Sequence, residues 1–223
     1  MFLDTANNKE IKNALKSGVF KGVTTNPTIL LKEEIKREEK IQSILALGVK
    51  LVYVQCIGDT VEERLADCKK ILTMDTENRI GLKIPMDIVG LEVVKVLGQK
   101  NLGCPILGTA IYSADQGILA ALAGCDCIAP YINRMTNYDV DPYKAIAIMR
   151  DFIDERDLNC EIIGASFKNT NQVIQTLVSG AHTVTIPYNI FEKMINKELA
   201  TAAIETFNRH GEALEEKFQI TND

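Results

Sequence analysis

The sequence Gly81-Leu82-Lys83-Ile84-Pro85 is a short apolar run that contains a single lysine. An apolar run of this length is typical of a buried strand. Burial disfavours an ammonium ion, so a lysine in such a strand is either a misfit or a reactive amine. A free amine can attack a carbonyl carbon and form a Schiff base. Lys83 is therefore the first candidate catalytic residue.

Apolar runs of the same kind recur along the chain, and segments of helical periodicity separate them. The runs predict eight strands, at residues 2–4, 21–24, 50–55, 80–84, 105–108, 127–129, 161–164 and 183–186. Helices are predicted at residues 8–17, 28–47, 61–72, 88–100, 113–123, 142–156, 171–179, 190–196 and 200–218. Strands that alternate with helices pair in parallel through crossover connections.

Eight successive βα units predict an α/β fold, a (β/α)8 TIM barrel that spans residues 1–223 as a single domain with an extra C-terminal helix. A doubly wound open sheet is the alternative, because short strands are difficult to count from one sequence. The last helix has no strand to cover. Its apolar positions Ile204, Phe207 and Leu214 need a partner, either one end of the barrel or a neighbouring subunit.

The composition is that of a soluble globular protein, with 46% apolar and 25% charged residues. The net charge of -5 argues against a nucleic-acid partner, since phosphate neutralisation requires a basic face. The first residues lack the pattern of a signal peptide, and the longest apolar stretch, at residues 44–57, is too short and too interrupted to span a bilayer. These features predict a cytoplasmic protein without a membrane partner.

Metal and nucleotide cofactors are not expected. The six cysteines form no C-x-x-C pair and are interpreted as free thiols. Of the two histidines, His182 falls at the start of a predicted strand and His210 lies in the last helix, which is a poor set of metal ligands. The sequence contains neither a G-x-x-x-x-G-K nor a G-x-G-x-x-G run.

Polar residues occur where most of the predicted strands end, and in a barrel the chemistry lies at that face. They are Asp4, Thr25, Asn26, Gln55, Lys83, Thr109, Tyr131, Arg134, Ser166 and Lys168. Taken singly, each has a structural explanation as a helix cap, a turn residue or a packed aromatic. Taken together, a buried amine with a carboxylate, an amide, a hydroxyl and a phenol is typical of a proton-transfer site.

Three of these residues predict an anion site. A guanidinium at Arg134, a hydroxyl at Ser166 and an amine at Lys168 would suit a phosphate monoester. The alternative is that these are surface cations on loops.

Six short motifs resemble those of the small transaldolase family, in the same order and over nearly the whole chain. They are Leu3-Asp4-Thr5-Ala6, Gly22-Val23-Thr24-Thr25-Asn26-Pro27-Thr28, Lys83-Ile84-Pro85, Leu107-Gly108-Thr109-Ala110, Ala129-Pro130-Tyr131-Ile132-Asn133-Arg134 and Ala165-Ser166-Phe167-Lys168. The resemblance implies a (β/α)8 barrel and a class I, Schiff-base aldol mechanism. It also implies a homo-oligomer, commonly a pentamer or a decamer of two stacked rings, whose C-terminal helix contacts a neighbouring subunit.

Two positions make the chain most similar to the fructose-6-phosphate aldolase branch of that family. Family transaldolases usually carry Glu and Phe where this chain has Gln55 and Tyr131. The expected activity is cleavage of fructose 6-phosphate into dihydroxyacetone and glyceraldehyde 3-phosphate. The alternative is a transaldolase of the pentose phosphate pathway, which transfers a dihydroxyacetone unit between sedoheptulose 7-phosphate and glyceraldehyde 3-phosphate. A barrel that binds sugar phosphates without turnover is a third hypothesis.

The resemblance also implies roles for the residues at the strand ends. Lys83, Tyr131, Asp4, Gln55 and Thr109 are expected to be catalytic. Substrate binding is expected from Thr25, Asn26, Arg134, Ser166 and Lys168. The segment 135–141 departs from the Gly- or Asp-rich loop of the family, which bears on the preference for the acceptor.

Overall fold

The computed structural model describes residues 1–74, 77–100 and 103–219 of the chain. Eight parallel strands form a closed barrel in chain order, and β1 pairs with both β2 and β8. The strands are β1 Phe2–Asp4, β2 Gly22–Thr24, β3 Val52–Gln55, β4 Ile80–Pro85, β5 Ile106–Ile111, β6 Cys127–Pro130, β7 Glu161–Gly164 and β8 Thr183–Ile186. The predicted TIM barrel is confirmed, and an open doubly wound sheet is excluded because the first strand pairs with the last.

Helices follow the strands along the chain. They are α1 Asn8–Leu15, α2 Pro27–Leu31, α3 Arg37–Leu45, α4 Val61–Leu72, α5 Ile88–Lys100, α6 Ala114–Leu122, α7 Ile132–Asn137, α8 Pro142–Glu155, α9 Thr170–Val178, α10 Tyr188–Ile195 and α11 Glu198–Gln219. Side chains at the strand-to-helix turns start several of them. Asn26 caps α2 by accepting from the Ile29 N–H, and Thr60 forms a capping box with Glu63 at the start of α4.

Met1–Tyr188 is one compact unit, and it contains the barrel. A second compact unit begins at Asn189 and contains α11 and most of α10. In α11 the apolar residues Ile204, Phe207 and Leu214 recur at helical spacing, as the sequence predicts. None of the described helices is long and apolar enough to cross a bilayer.

Two helical predictions differ from the structure. Residues 28–47 form two helices, α2 and α3, because the chain turns between them and Glu34 has a φ of 55°. The short helix α7 was not predicted, although it carries Arg134. This helix begins shortly after β6 ends, so Arg134 lies on a helix rather than on a loop.

The floor of the barrel is a buried cluster of inward-facing side chains. It consists of Phe2, Tyr53, Leu107, Cys127, Ala129, Ile163 and Ala165. The Tyr53 ring fills the interior opposite Gly81, where a Cβ atom would lie only 2.5 Å from that ring. Because side chains two residues apart share a face of a strand, Gln55 and Lys83 face inward one layer above Tyr53 and Gly81.

Candidate active site

Lys83 lies in the middle of β4 and is 3% exposed. Its Nζ donates a hydrogen bond to the Thr25 carbonyl oxygen at 3.2 Å. Gln55 is its register partner on β3 and Leu107 its partner on β5. The Lys83 amine therefore lies directly above the apolar floor of the barrel. The polar end of β3 lies beside it.

Asp4 lies at the end of β1. Hydrogen bonds link it across the seam of the barrel, which is the place where the first strand pairs with the last. The Thr24 hydroxyl donates to Asp4 Oδ1 at 2.8 Å and lies 2.6 Å from the Thr185 hydroxyl. Since the one proton of Thr24 goes to Asp4, Thr185 donates to Thr24. Burial raises the pKa of Asp4, while the Lys83 charge and the Thr24 hydrogen bond oppose this rise.

Thr109 and Tyr131 form a hydroxyl pair above the floor. Their oxygens are 3.0 Å apart, and Thr109 is completely buried. The half-buried Tyr131 packs against the floor cluster and pairs with Ala165 in an isolated bridge after β6. A phenol and an alcohol at this distance can share a proton or hold one water molecule between them and a substrate.

Arg134 extends the site towards solvent. Its guanidinium lies 5.1 Å from the centre of the Tyr131 ring and donates to the Tyr112 hydroxyl at 3.1 Å. That hydrogen bond raises the pKa of Arg134. The Tyr112 ring meets Tyr131 edge-on, with centroids 5.4 Å apart. A cavity of about 600 Å³ adjoins this group and is lined by Tyr112, Arg134, Met135, Asn137, Tyr138 and Val140.

Two of the predicted binding residues already have structural partners. The Thr25 hydroxyl donates to the Tyr53 carbonyl oxygen at 3.0 Å. Asn26 Oδ1 accepts from the Ile29 N–H at 2.9 Å, which leaves the amide nitrogen of Asn26 to donate elsewhere. The position of Asn26 is thus fixed by its cap, while half of its side-chain amide remains for a ligand.

Ser166 and Lys168 follow β7 on the same side of the barrel as the other strand ends. Ser166 has a φ of 63°, and its carbonyl oxygen accepts from the Asn133 N–H at 2.8 Å. An unusual φ at a non-glycine residue of this kind is common at ligand sites. Lys168 is exposed, and its N–H donates to Gln172 Oε1 at 2.9 Å.

The structure thus brings the predicted residues to one end of the barrel, and their roles stay predictions. Sequence reasoning missed three residues that hold them in place: Thr185, Tyr112 and Gln116. Thr24 ends a predicted strand and lies within a quoted motif, but it was given no role in the site. Among the described residues, no three His, Cys, Asp or Glu side chains lie close enough together to hold a metal ion. His182 Nδ1 instead accepts from the Ile162 N–H at 2.9 Å.

A family model described as "Transaldolase/Fructose-6-phosphate aldolase" matches residues 1–223. The chain belongs to this family. The transaldolase/fructose-6-phosphate aldolase family acts by Schiff-base aldol chemistry on sugar phosphates, so this chain is an enzyme of that class. The resemblance recognised in the six motifs is therefore confirmed over the whole chain.

Similar proteins carry the name of one of the two family activities. The "Probable transaldolase 2" of Bacillus anthracis is 33% identical over 211 residues, which are 92% of this chain and 94% of that protein. A "Probable transaldolase" of Streptococcus equi subsp. zooepidemicus is 35% identical over 206 residues, with 92% and 94% covered. A solved structure of a doubly substituted flavocytochrome b2 with sulfite bound shares the fold, with a TM-score of 0.61, 13% identity, and coverage of 84% of this chain and 56% of that one.

Proposed function

We propose that this family member is a fructose-6-phosphate aldolase. The Lys83 amine attacks the C2 ketone, a carbon–nitrogen bond forms, and water leaves as the imine is made. The C3–C4 bond then breaks, its electron pair moves into the imine to give an enamine, and glyceraldehyde 3-phosphate departs. Protonation at C3 and hydrolysis release free dihydroxyacetone and restore the amine. No metal or redox partner is needed for the atoms and electrons to balance.

The observation that carries this proposal is the Thr109–Tyr131 hydroxyl pair near Lys83. Cleavage requires a base for the proton of the C4 hydroxyl, and hydrolysis requires a positioned water. The Tyr131 phenol lies 3.0 Å from the Thr109 hydroxyl. In this proposal it supplies the first group and, with Thr109 and the Gln55 amide, a place for the water. A phenylalanine at position 131 could do neither.

Residues at the ends of β1 and β2 orient the Lys83 amine and the dihydroxyacetone part of the sugar. Asp4 is fixed by Thr24, and Lys83 Nζ by the Thr25 carbonyl oxygen. The free amide nitrogen of Asn26 is available to a donor hydroxyl. With its raised pKa, Asp4 is also suited to carry a proton during imine formation.

Arg134 binds the departing phosphate in this proposal. Arg134 is exposed, but its guanidinium contacts the Tyr131 ring and the Tyr112 hydroxyl, so it lies beside the proposed base. A fixed guanidinium binds a phosphate by two parallel hydrogen bonds. Ser166 and Lys168 add a hydroxyl and a second cation.

Incubation with fructose 6-phosphate alone tests the reaction, and borohydride reduction tests the intermediate. Steady release of dihydroxyacetone is expected, together with an adduct that peptide mapping places on Lys83. A Lys83→Met variant should lose both. A Lys40→Met variant should keep both, since Lys40 is similarly buried but pairs with Glu33 away from the strand ends. An adduct on another lysine contradicts the mechanism.

Transaldolase activity is the second candidate, because the relatives named above are probable transaldolases. It uses the same imine but passes the enamine to a second sugar. Turnover of fructose 6-phosphate only after addition of erythrose 4-phosphate would establish it. Saturable binding without turnover under both conditions would instead indicate a non-catalytic barrel.

We also propose a homo-oligomer in which the apolar stripe of α11 contacts a neighbouring subunit. Sedimentation velocity should give a mass several times the 24.7 kDa of one chain. A Phe207→Glu variant should weaken the assembly, whereas Glu205→Lys, on the same helix, should not. A monomer at micromolar concentration contradicts this proposal.

A further inference from the structure

Strand β5 contains one extra residue at the level of the site. Gly108 pairs with Ile128 and Ile111 pairs with Pro130, so three steps along β5 match two along β6. Within this bulge, Ala110 has a φ of 59°, which side-chain-bearing residues rarely adopt. Bulges re-aim the neighbouring side chains, and Thr109 is the residue just before Ala110.

The side-chain amide of Gln116, near the start of α6, holds this bulge. Its Nε2 donates to the Ala110 carbonyl oxygen at 3.0 Å and to the Met86 carbonyl oxygen at 2.6 Å. Its Oε1 accepts from the Tyr112 N–H at 2.9 Å. Both amide hydrogens are therefore used, and Gln116 has no hydrogen left to donate to a substrate.

The three backbone groups bound by Gln116 adjoin residues of the proposed site. Met86 follows β4, and its N–H donates to the Thr109 carbonyl oxygen at 2.9 Å. The Tyr112 side chain meets the Tyr131 ring and accepts from Arg134. One amide thus ties the end of the Lys83 strand to the end of the Thr109 strand, and to the residue that supports Arg134.

We propose that Gln116 is a positioning residue for the cleavage step. It stabilises the β5 bulge that aims the Thr109 hydroxyl at Tyr131, and it fixes that pair relative to the Lys83 strand. The inference rests on the proposed function, since it assigns a role in carbon–carbon cleavage. Gln116 touches only backbone groups, so it acts through Thr109, Tyr112 and Tyr131.

The arrangement requires two donors and one acceptor in a single side chain. A glutamate keeps the size but, when ionised, has no donors and places its charge against two carbonyl oxygens. A leucine keeps roughly the volume and leaves the three backbone groups without this partner. An asparagine is one methylene shorter and cannot reach all three. The expected order of activity is Gln116, then Asn, then Glu and Leu.

The test separates imine formation from cleavage in the Gln116→Leu and Gln116→Glu variants of the full chain. Borohydride trapping with dihydroxyacetone measures imine formation at Lys83, which needs no cleavage. Release of dihydroxyacetone from fructose 6-phosphate measures the whole reaction. Because a misplacement of about 1 Å costs up to roughly 100-fold in rate, we expect cleavage to fall ~10–100-fold while trapping changes less than about threefold. A Gln42→Leu variant, exposed on α3, should match the wild type in both assays.

Two results overturn the positioning role while leaving the proposed function intact. They are cleavage by both variants within about twofold of the wild type, and an equal fall in trapping and cleavage, which would indicate a general structural effect. If the leucine variant does not fold, the glutamate variant carries the test. Its cleavage relative to the wild type should rise as the pH is lowered, because a protonated carboxyl regains one donor. A wild-type protein that neither traps nor cleaves overturns both proposals.

Discussion

Replacement of Tyr131 by phenylalanine removes a single hydroxyl and keeps the ring. The ring contacts to Tyr112 and to the Arg134 guanidinium therefore remain, at 5.4 and 5.1 Å in the parent structure. What is lost is the 3.0 Å contact with Thr109 and the proposed base for the C4 hydroxyl. The change thus separates a stability effect from a chemical effect.

The stability effect is small. The lost hydrogen bond and the unpaired Thr109 hydroxyl, which is fully buried, together cost about 1–3 kcal/mol. For a chain of this size each kcal/mol lowers the melting temperature by about 2–4 °C. Loss of a general base costs about 10²- to 10⁴-fold in rate, which corresponds to about 2.7–5.5 kcal/mol of activation free energy. The variant should therefore be folded at 25 °C but nearly inactive in cleavage.

Two assays on the same preparation check this expectation. Dihydroxyacetone release from fructose 6-phosphate should fall by about 10²–10⁴-fold, while borohydride trapping of dihydroxyacetone on Lys83 should persist. A Tyr138→Phe variant is the control, because Tyr138 lines the neighbouring cavity but is 79% exposed. If Tyr131→Phe cleaves within threefold of the wild type, Tyr131 is not the base. If it loses trapping as completely as cleavage, the step assigned to it is wrong.

Three further variants test the fold and the site. Gly81→Ala should destabilise the protein by about 1–3 kcal/mol in urea unfolding, because its Cβ would meet the Tyr53 ring at 2.5 Å; an unchanged midpoint would contradict the packing of the floor. For Asp4, a raised folded-state pKa means that the native state binds more protons, so stability falls as the pH rises above the ordinary value of 3.8. Asp4→Asn should therefore be at least as stable as the parent at pH 7 but slower in imine formation, and a clear loss of stability there would refute this account. For His182, burial and Arg150 lower the pKa, so the unfolded chain takes up a proton first and stability is lost as the pH falls below 6.5. His182→Gln should flatten that slope in unfolding measured between pH 7.5 and 5, and an unaltered slope would assign it to other groups.

The barrel could be predicted because its signals are local. Each strand is a short apolar run, and each helix has its own periodicity and caps, so the alternation alone defines eight βα units. Three of the strands, Phe2–Asp4, Glu161–Gly164 and Thr183–Ile186, have the bounds that the sequence predicts. The position of Lys83 in a buried strand follows from the same pattern. That the whole chain unfolds as one domain stays a prediction, which a single calorimetric transition would support.

The features that were missed depend on turns and side-chain contacts that hydrophobic periodicity does not report. The break between α2 and α3 falls in a charged run whose helical spacing continues through it, so periodicity alone cannot reveal it. The β5 bulge leaves no mark in Leu107-Gly108-Thr109-Ala110, because its partner is a glutamine on the next helix. The pairing of Thr24 with Thr185 joins residues 161 positions apart. Only the closed barrel brings them together.

The hydrogen-bonded seam of Thr24, Thr185 and Asp4 has a consequence for biosynthesis. Thr185 lies in the last strand, and its hydroxyl donates to the group that fixes Asp4 in the first. While the ribosome is still adding earlier strands, the Asp4 carboxylate can therefore be held by Thr24 but not yet through Thr185. A nascent chain that already contains Lys83 therefore lacks the Thr185 hydrogen bond near that residue until the eighth strand has been synthesised and has paired. The full set of hydrogen bonds around Asp4 can therefore form only after the eighth strand has been synthesised and has paired with the first.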